Sequence, residues 1–116
     1  MSFQLDKDLQ DKLAKFEQVK AQLQMIFSQK GEMEARKREA EEAANALEAR
    51  KEGDVYRRVG DIMLKVEDTD SLLKELKEEL ETLEVRLNSI ENQEKSLRSM
   101  YEKMGQEINE ALKGYK

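Results

Sequence analysis

The stretch Asp54–Glu67 reads DVYRRVGDIMLKVE and differs in pattern from the rest of the chain. Its apolar residues recur at every second position, whereas elsewhere the apolar residues recur at helical spacing. Gly60-Asp61 separates two alternating runs. A two-residue loop that begins with glycine is typical of a β-hairpin, because glycine accepts the positive φ of the tight turn. The stretch therefore predicts a hairpin over residues 54–67.

The position of the loop fixes which residues of the hairpin lie opposite each other. Partner numbers sum to 121, so one face carries Arg57 and a set of apolar residues, namely Val55, Val59, Ile62, Leu64 and Val66. An isolated hairpin is marginally stable in water and leaves both strand edges open. We therefore expect this face, with the Gly60 turn, to join several chains into an oligomer. A plain two-strand corner between helices is the alternative.

The composition restricts the class of protein. The chain has 116 residues, of which 41% are charged and 5% aromatic, and it contains no histidine, cysteine or proline. Long surface-rich helices fit these values better than a compact core does. Without histidine and cysteine no catalytic triad or thiol nucleophile can form, and the carboxylate pairs fit solvated helix faces. We expect no enzyme activity, no cofactor and no metal. The net charge of −5 disfavours nucleic acid. Because no apolar run reaches the length of a membrane span, we expect a cytoplasmic protein.

We predict that the first helix spans about residues 4–51. Apolar residues follow a seam with alternating spacings of four and three, which is typical of a coiled coil. The seam positions are Leu5, Leu9, Lys12, Phe16, Val19, Leu23, Ile26, Lys30, Met33, Lys37, Ala40, Ala44 and Leu47. Lys12, Lys30 and Lys37 interrupt the seam, and their aliphatic stems can lie along it while the ammonium groups reach water. Gly53 is a candidate helix stop.

We predict that the second helix spans about residues 70–114. Residues 68–71 offer side chains that can cap its start. Its seam runs from Leu73 to Tyr115 and mirrors the first seam, because paired positions such as Leu23 and Leu97 sum to 120. The midpoint is Gly60, the turn of the hairpin. The predicted fold is mostly α: a long antiparallel two-helix coiled coil joined by a short β-hairpin, in a single domain over residues 1–116.

The apolar stripe widens near both chain ends. Phe3, Leu13, Met100 and Leu112 lie beside the seam there. Two interpretations remain open, since these side chains either close the end of the coiled coil or form an exposed apolar patch that binds a partner.

The chain resembles the prefoldin beta subunit over nearly its whole length. The resemblance rests on an ordered set of residues: Leu13, Phe16 and Gln18; Gln22-Leu23-Gln24; Lys30 with Met33-Glu34; Ala46-Leu47; Asp54-Val55-Tyr56 to Val59-Gly60; Ile62 and Leu64-Lys65-Val66; Leu83-Glu84 with Arg86; Glu91 with Gln93-Glu94; and Ile108 with Glu110-Ala111-Leu112. The single predicted hairpin resembles the beta class, since the alpha class has two hairpins. The short C-terminal tail resembles that of archaeal members.

The resemblance implies an ATP-independent chaperone. In that family four beta and two alpha subunits form a hetero-hexamer through their hairpins, and the coiled-coil tips hold non-native proteins and pass them to a group II chaperonin. Partners would then be the prefoldin alpha subunit, other beta copies, non-native proteins and the chaperonin, with no nucleic acid and no membrane. The implied client-binding tip comprises Phe3, Leu5, Leu9, Leu13, Phe16, Met104, Ile108, Leu112 and Tyr115.

Two other classes of function compete with the chaperone. A structural antiparallel coiled-coil spacer or scaffold explains the seams but leaves the alternating hairpin unexplained. A nucleic-acid-binding arm conflicts with the acidic net charge.

Overall fold

The computed structural model describes residues 6–114 and shows two long helices with a hairpin between them. In chain order the elements are helix α1 (Lys7–Ala49), strand β1 (Tyr56–Val59), strand β2 (Ile62–Lys65) and helix α2 (Thr69–Lys113). The expected fold class is thereby confirmed. Helix α1 continues without interruption through Gly31 and ends two residues before the expected boundary.

An aspartate caps the start of each helix. The Leu9 backbone N–H donates to Asp6 Oδ1 at 2.7 Å, and the Ser71 backbone N–H donates to Asp68 Oδ1 at 3.0 Å. These bonds satisfy backbone donors that have no partner inside the helix. The Ser71 hydroxyl also donates to Asp68 Oδ2 at 2.8 Å. The Ser71 backbone bond, followed by the hydroxyl bond, lowers the pKa of the Asp68 carboxyl, because both bonds stabilise its ionised form.

The hairpin has the predicted register. The pairs are Tyr56 with Lys65, Arg57 with Leu64, Arg58 with Met63, and Val59 with Ile62. Gly60 has φ of 61°, and Asp61 does not share this positive φ. Positive φ at the first loop position alone is what a type II′ turn requires. The Val66 N–H donates to the Val55 carbonyl at 2.9 Å, so the ladder extends one pair beyond the strand ends.

The chain divides into two compact units, and the first comprises the described parts of Met1–Gly31 and Asn88–Lys116. Within it α1 and α2 run antiparallel, since Phe16 stacks on Tyr101 whereas Lys30, further along α1, pairs with the earlier Glu94. The buried apolar side chains of this unit all lie on the predicted seams, and they are Leu9, Val19, Ile90 and Ile108.

The second unit, Glu32–Leu87, contains the hairpin and the adjoining parts of both helices. Its buried side chains also come from the seams, and they are Ala40, Ala44, Leu83 and Leu87. Arg50 connects the elements, because its guanidinium donates to the Gly53 carbonyl at 2.8 Å and to the Thr69 hydroxyl at 3.3 Å. Gly53 lies beyond the helix end and supplies a positive φ of 106° in the segment that leads to the hairpin.

The seam of α1 departs from the prediction near its start. Lys12 was expected on the seam but is exposed, and the adjacent Leu13 is half-buried instead. A seam with a strict seven-residue repeat drifts relative to the 3.6-residue turn of an α-helix, so an apolar neighbour can take the inward position. In α2, by contrast, every described seam position is buried or half-buried.

Candidate functional site

The hairpin exposes apolar surface on both of its faces. All eight strand residues are exposed. Five of them are large and apolar, with exposed fractions of 48–61%: Tyr56, Val59, Ile62, Met63 and Leu64. Among residues 6–114 the sheet has two strands, so each strand keeps one edge without a backbone partner. Apolar side chains beside open strand edges are typical of a surface that pairs with strands of another chain.

Contacts with the helices hold the base of the hairpin. Val55 and Val66 are half-buried. Arg57, the residue that interrupts the apolar face, forms a salt bridge with Glu75 of α2 at 3.2 Å. Lys65 Nζ lies 3.8 Å from Asp54 Oδ1. The base is therefore anchored within its unit while Val59, Ile62 and Leu64 stay accessible, and Arg57 already has an acidic partner.

The structure brings together part of the expected client-binding tip. Four of its residues, Leu13, Phe16, Ile108 and Leu112, line one groove between the two helices. Met104 is half-buried and lines an adjoining groove. Phe3, Leu5 and Tyr115 lie outside the described residues.

Burial separates these tip residues into two groups. Leu9 and Ile108 are 2% and 7% exposed, so they hold the helices together rather than presenting surface. Leu112 is 44% exposed. Phe16 stacks on Tyr101 with ring centroids 4.5 Å apart. In this conformation the groove therefore has a buried floor and an accessible rim.

Charged residues of the two seams meet each other, which the sequence interpretation missed. Lys30 Nζ lies 3.5 Å from Glu94 Oε1, and the two side chains are 27% and 14% exposed. The signal was present, because one charged residue of each sign lay on opposite seams about one helical turn from mirror positions. Lys37 instead lies 4.0 Å from Glu41 on its own helix.

Within residues 6–114, no group of acidic side chains is arranged to hold a metal ion. Over the same range, neither helix has the combination of length and apolarity needed to cross a membrane.

Comparisons with known proteins agree with this geometry. Two antiparallel helices with an exposed hairpin between them define a coiled-coil interaction protein. A family model described as prefoldin subunit matches residues 10–115. The crystal structure of the prefoldin beta subunit from Thermococcus strain KS-1 is 34% identical in sequence, with a TM-score of 0.78 over 94% of this chain and 96% of that chain. None of the curated proteins matches the chain.

The chain therefore belongs to the prefoldin family and is a prefoldin-type chaperone subunit. The predicted resemblance to the prefoldin beta subunit is confirmed. Prefoldins are a family of chaperones rather than of enzymes, and they assemble with other prefoldin subunits and bind non-native proteins.

Proposed function

We propose that this chain is the beta-type subunit of a cytoplasmic hetero-hexamer with two alpha-type subunits. It holds unfolded polypeptides at the helix ends near the chain termini and passes them to a group II chaperonin. Residues 1–116 act as one domain, in which the hairpin joins subunits and the helix ends near the chain termini receive the client. The observation that supports this proposal most directly is the accessible apolar surface of the hairpin, which stays exposed to water in an isolated chain.

Strand pairing between subunits accounts for this surface. Each copy has open edges on both strands. Pairing with neighbouring hairpins satisfies their backbone groups and buries Val59, Ile62 and Leu64. Ile62→Glu or Leu64→Glu therefore abolishes the assembly, whereas Asp61→Lys, which reverses a charge in the loop, preserves it.

Client binding at the helix ends needs no energy source. Unfolded polypeptides expose apolar side chains, and contact with an apolar rim removes both surfaces from water. Each contact is weak, but several subunits that face one client supply avidity. Leu112 provides the rim, and Leu9 and Ile108 hold the two helices together beneath it. Phe3 is assigned to client binding from the sequence.

Light scattering from an aggregating client tests this proposal. Phe3→Ser with Leu112→Ser weakens suppression of aggregation and leaves the assembly intact, because Leu112 is 44% exposed and lies outside the hairpin. The matched control is Val85→Ser, which removes an apolar side chain that is 69% exposed elsewhere on α2. Its suppression equals that of the unaltered protein.

The two variants also discriminate the chaperone from the rival spacer. A spacer remains a single chain in dilute solution and leaves client aggregation unchanged with or without the substitutions. If the Phe3→Ser, Leu112→Ser variant suppressed aggregation as well as the Val85→Ser control did, the helix ends would not be the client-binding site.

A further inference from the structure

A groove on one flank of the helix pair of the first unit is lined by uncharged residues alone. This shallow groove is lined by nine residues, none of them charged, although 41% of the chain is charged and about four would be expected at that proportion. Met25 is 62% exposed beside it. Ile26 and Leu97 form the apolar part of the lining. The remaining residues carry amides or hydroxyls, and with Met25 we call them the uncharged face: Gln22, Gln29, Ser89, Asn92, Gln93 and Ser96.

The other flank at the same level of the helix pair is different. Phe27 is 70% exposed there and shares its groove with charged residues of both signs, among them Lys20, Arg98 and Glu102. Both flanks therefore expose a large apolar side chain, but charged side chains surround only the one at Phe27. The contrast shows that the absence of charge is a property of this one groove rather than of this part of the chain.

The uncharged face is continuous with the helix ends. Gln22 also lines the adjoining groove, which contains Met100 and Met104 together with the charged residues Lys12, Lys15 and Glu107. Met100 is 50% exposed. Met104 belongs to the expected client-binding tip. A polypeptide held at the tip can therefore reach the uncharged face through this mixed groove without crossing the Phe27 side.

We propose that the uncharged face is a second contact surface for non-native polypeptide and selects extended segments that are poor in charged residues. The inference rests on the proposed chaperone function and extends it from the tip along one flank. Burying a charged side chain of a client here would remove it from water without supplying an opposite charge. Glutamine and asparagine amides both donate and accept, so they can bond the N–H and C=O groups of an extended backbone. The flexible thioether of Met25 can pack against clients of different shape.

Peptide binding by the full chain, purified with a co-expressed alpha-type subunit, tests the proposal. The probes are two fluorescent unstructured peptides with the same apolar residues, one free of charge and one with interspersed Lys and Glu, and anisotropy reports their binding. The test variant is Met25→Glu with Ser96→Glu. Its matched control is Phe27→Glu with Ser99→Glu, which adds the same charge at exposed positions outside the uncharged face.

The test variant weakens binding of the uncharged peptide about tenfold, equal to about 1.4 kcal/mol. The control variant changes it by less than about twofold, and the charged peptide binds weakly to all three proteins. If the unaltered protein binds the uncharged peptide and the two variants bind it alike, the flank plays no special part while the tip-based function stands.

Two further outcomes would overturn the inference in distinguishable ways. A changed native mass of the test variant alone would assign the uncharged face to contact between subunits. If the unaltered assembly bound neither peptide and suppressed no aggregation, the proposed function itself would fail, and the inference with it.

Discussion

Replacing Lys30 by leucine removes the cation that faces Glu94 across the helix pair. The Glu94 side chain is 14% exposed, so its carboxylate would be left largely buried without an opposite charge. An unpaired buried charge of this kind costs about 3–5 kcal/mol, but the partial access of water at this site reduces the expected loss to about 1–3 kcal/mol. Lys30→Leu therefore destabilises the chain despite adding apolar surface to the seam.

Replacing Glu94, the other member of the pair, has a smaller effect. Glu94→Leu leaves Lys30, whose longer stem can carry the ammonium group to water, so stability changes by less than about 1 kcal/mol. With both residues as leucine, stability equals or exceeds that of the unaltered chain, since apolar replacement of a buried ion pair is often neutral or stabilising. The charge-reversed pair, Lys30→Glu with Glu94→Lys, is the matched control because it restores the attraction.

Urea unfolding followed by far-UV circular dichroism measures these differences at one fixed chain concentration, since assembly couples stability to concentration. We expect a coupling energy of at least about 1 kcal/mol between the two positions. Single substitutions that add within about 0.5 kcal/mol would show that Lys30 and Glu94 do not interact, and would refute the assignment of this pair as a seam contact.

Three further predictions concern the turn, a helix cap and the helix ends. Gly60→Ala destabilises the hairpin by about 1–2 kcal/mol because φ is positive there. Gly31→Ala, inside α1, stabilises by about 1 kcal/mol, because the added Cβ would meet open space. Opposite signs of the two changes in urea unfolding check both. Asp68→Asn keeps a capping side chain but reduces the acid sensitivity of stability. The pKa of Asp68 is lowered on folding, so its contribution is complete above the ordinary pKa of aspartate and is lost as pH falls through the lowered folded value; an unchanged pH profile of unfolding would contradict this. Phe16→Ala removes the stack on Tyr101 and destabilises by about 2–4 kcal/mol, whereas Phe27→Ala at a 70% exposed position changes stability by less than about 0.5 kcal/mol in the same assay; equal losses would contradict the burial.

Local sequence rules predicted the hairpin because its determinants are adjacent in the chain. Gly60 at the first loop position and alternation on either side are enough to define the register. The helix seams were predictable for a similar reason, since periodicity shows which side of each helix is apolar.

The pairing of charged seam residues could not be read from periodicity. Lys30 and Glu94 interact about one helical turn away from mirror positions, and the long lysine stem spans this offset. Lys12 and Leu13 show the same limit, because a seam can shift by one residue near a helix end. Periodicity gives the phase of each helix, whereas the choice between adjacent residues depends on packing against the partner helix.

The candidate sites were predictable in outline only. The composition of the helix ends marked them as apolar, but the separation of buried Leu9 and Ile108 from exposed Leu112 depends on packing in three dimensions. The uncharged face joins residues about seventy positions apart in the sequence, so no local pattern indicated it.

The central claim is that exposed hairpins join subunits. Size-exclusion chromatography with light scattering measures the native mass of the chain alone and with a co-expressed alpha-type subunit. The account predicts a hexameric particle in the co-expressed preparation, and its loss with Leu64→Glu. Single chains in both preparations, or a particle that tolerates Leu64→Glu, would contradict it.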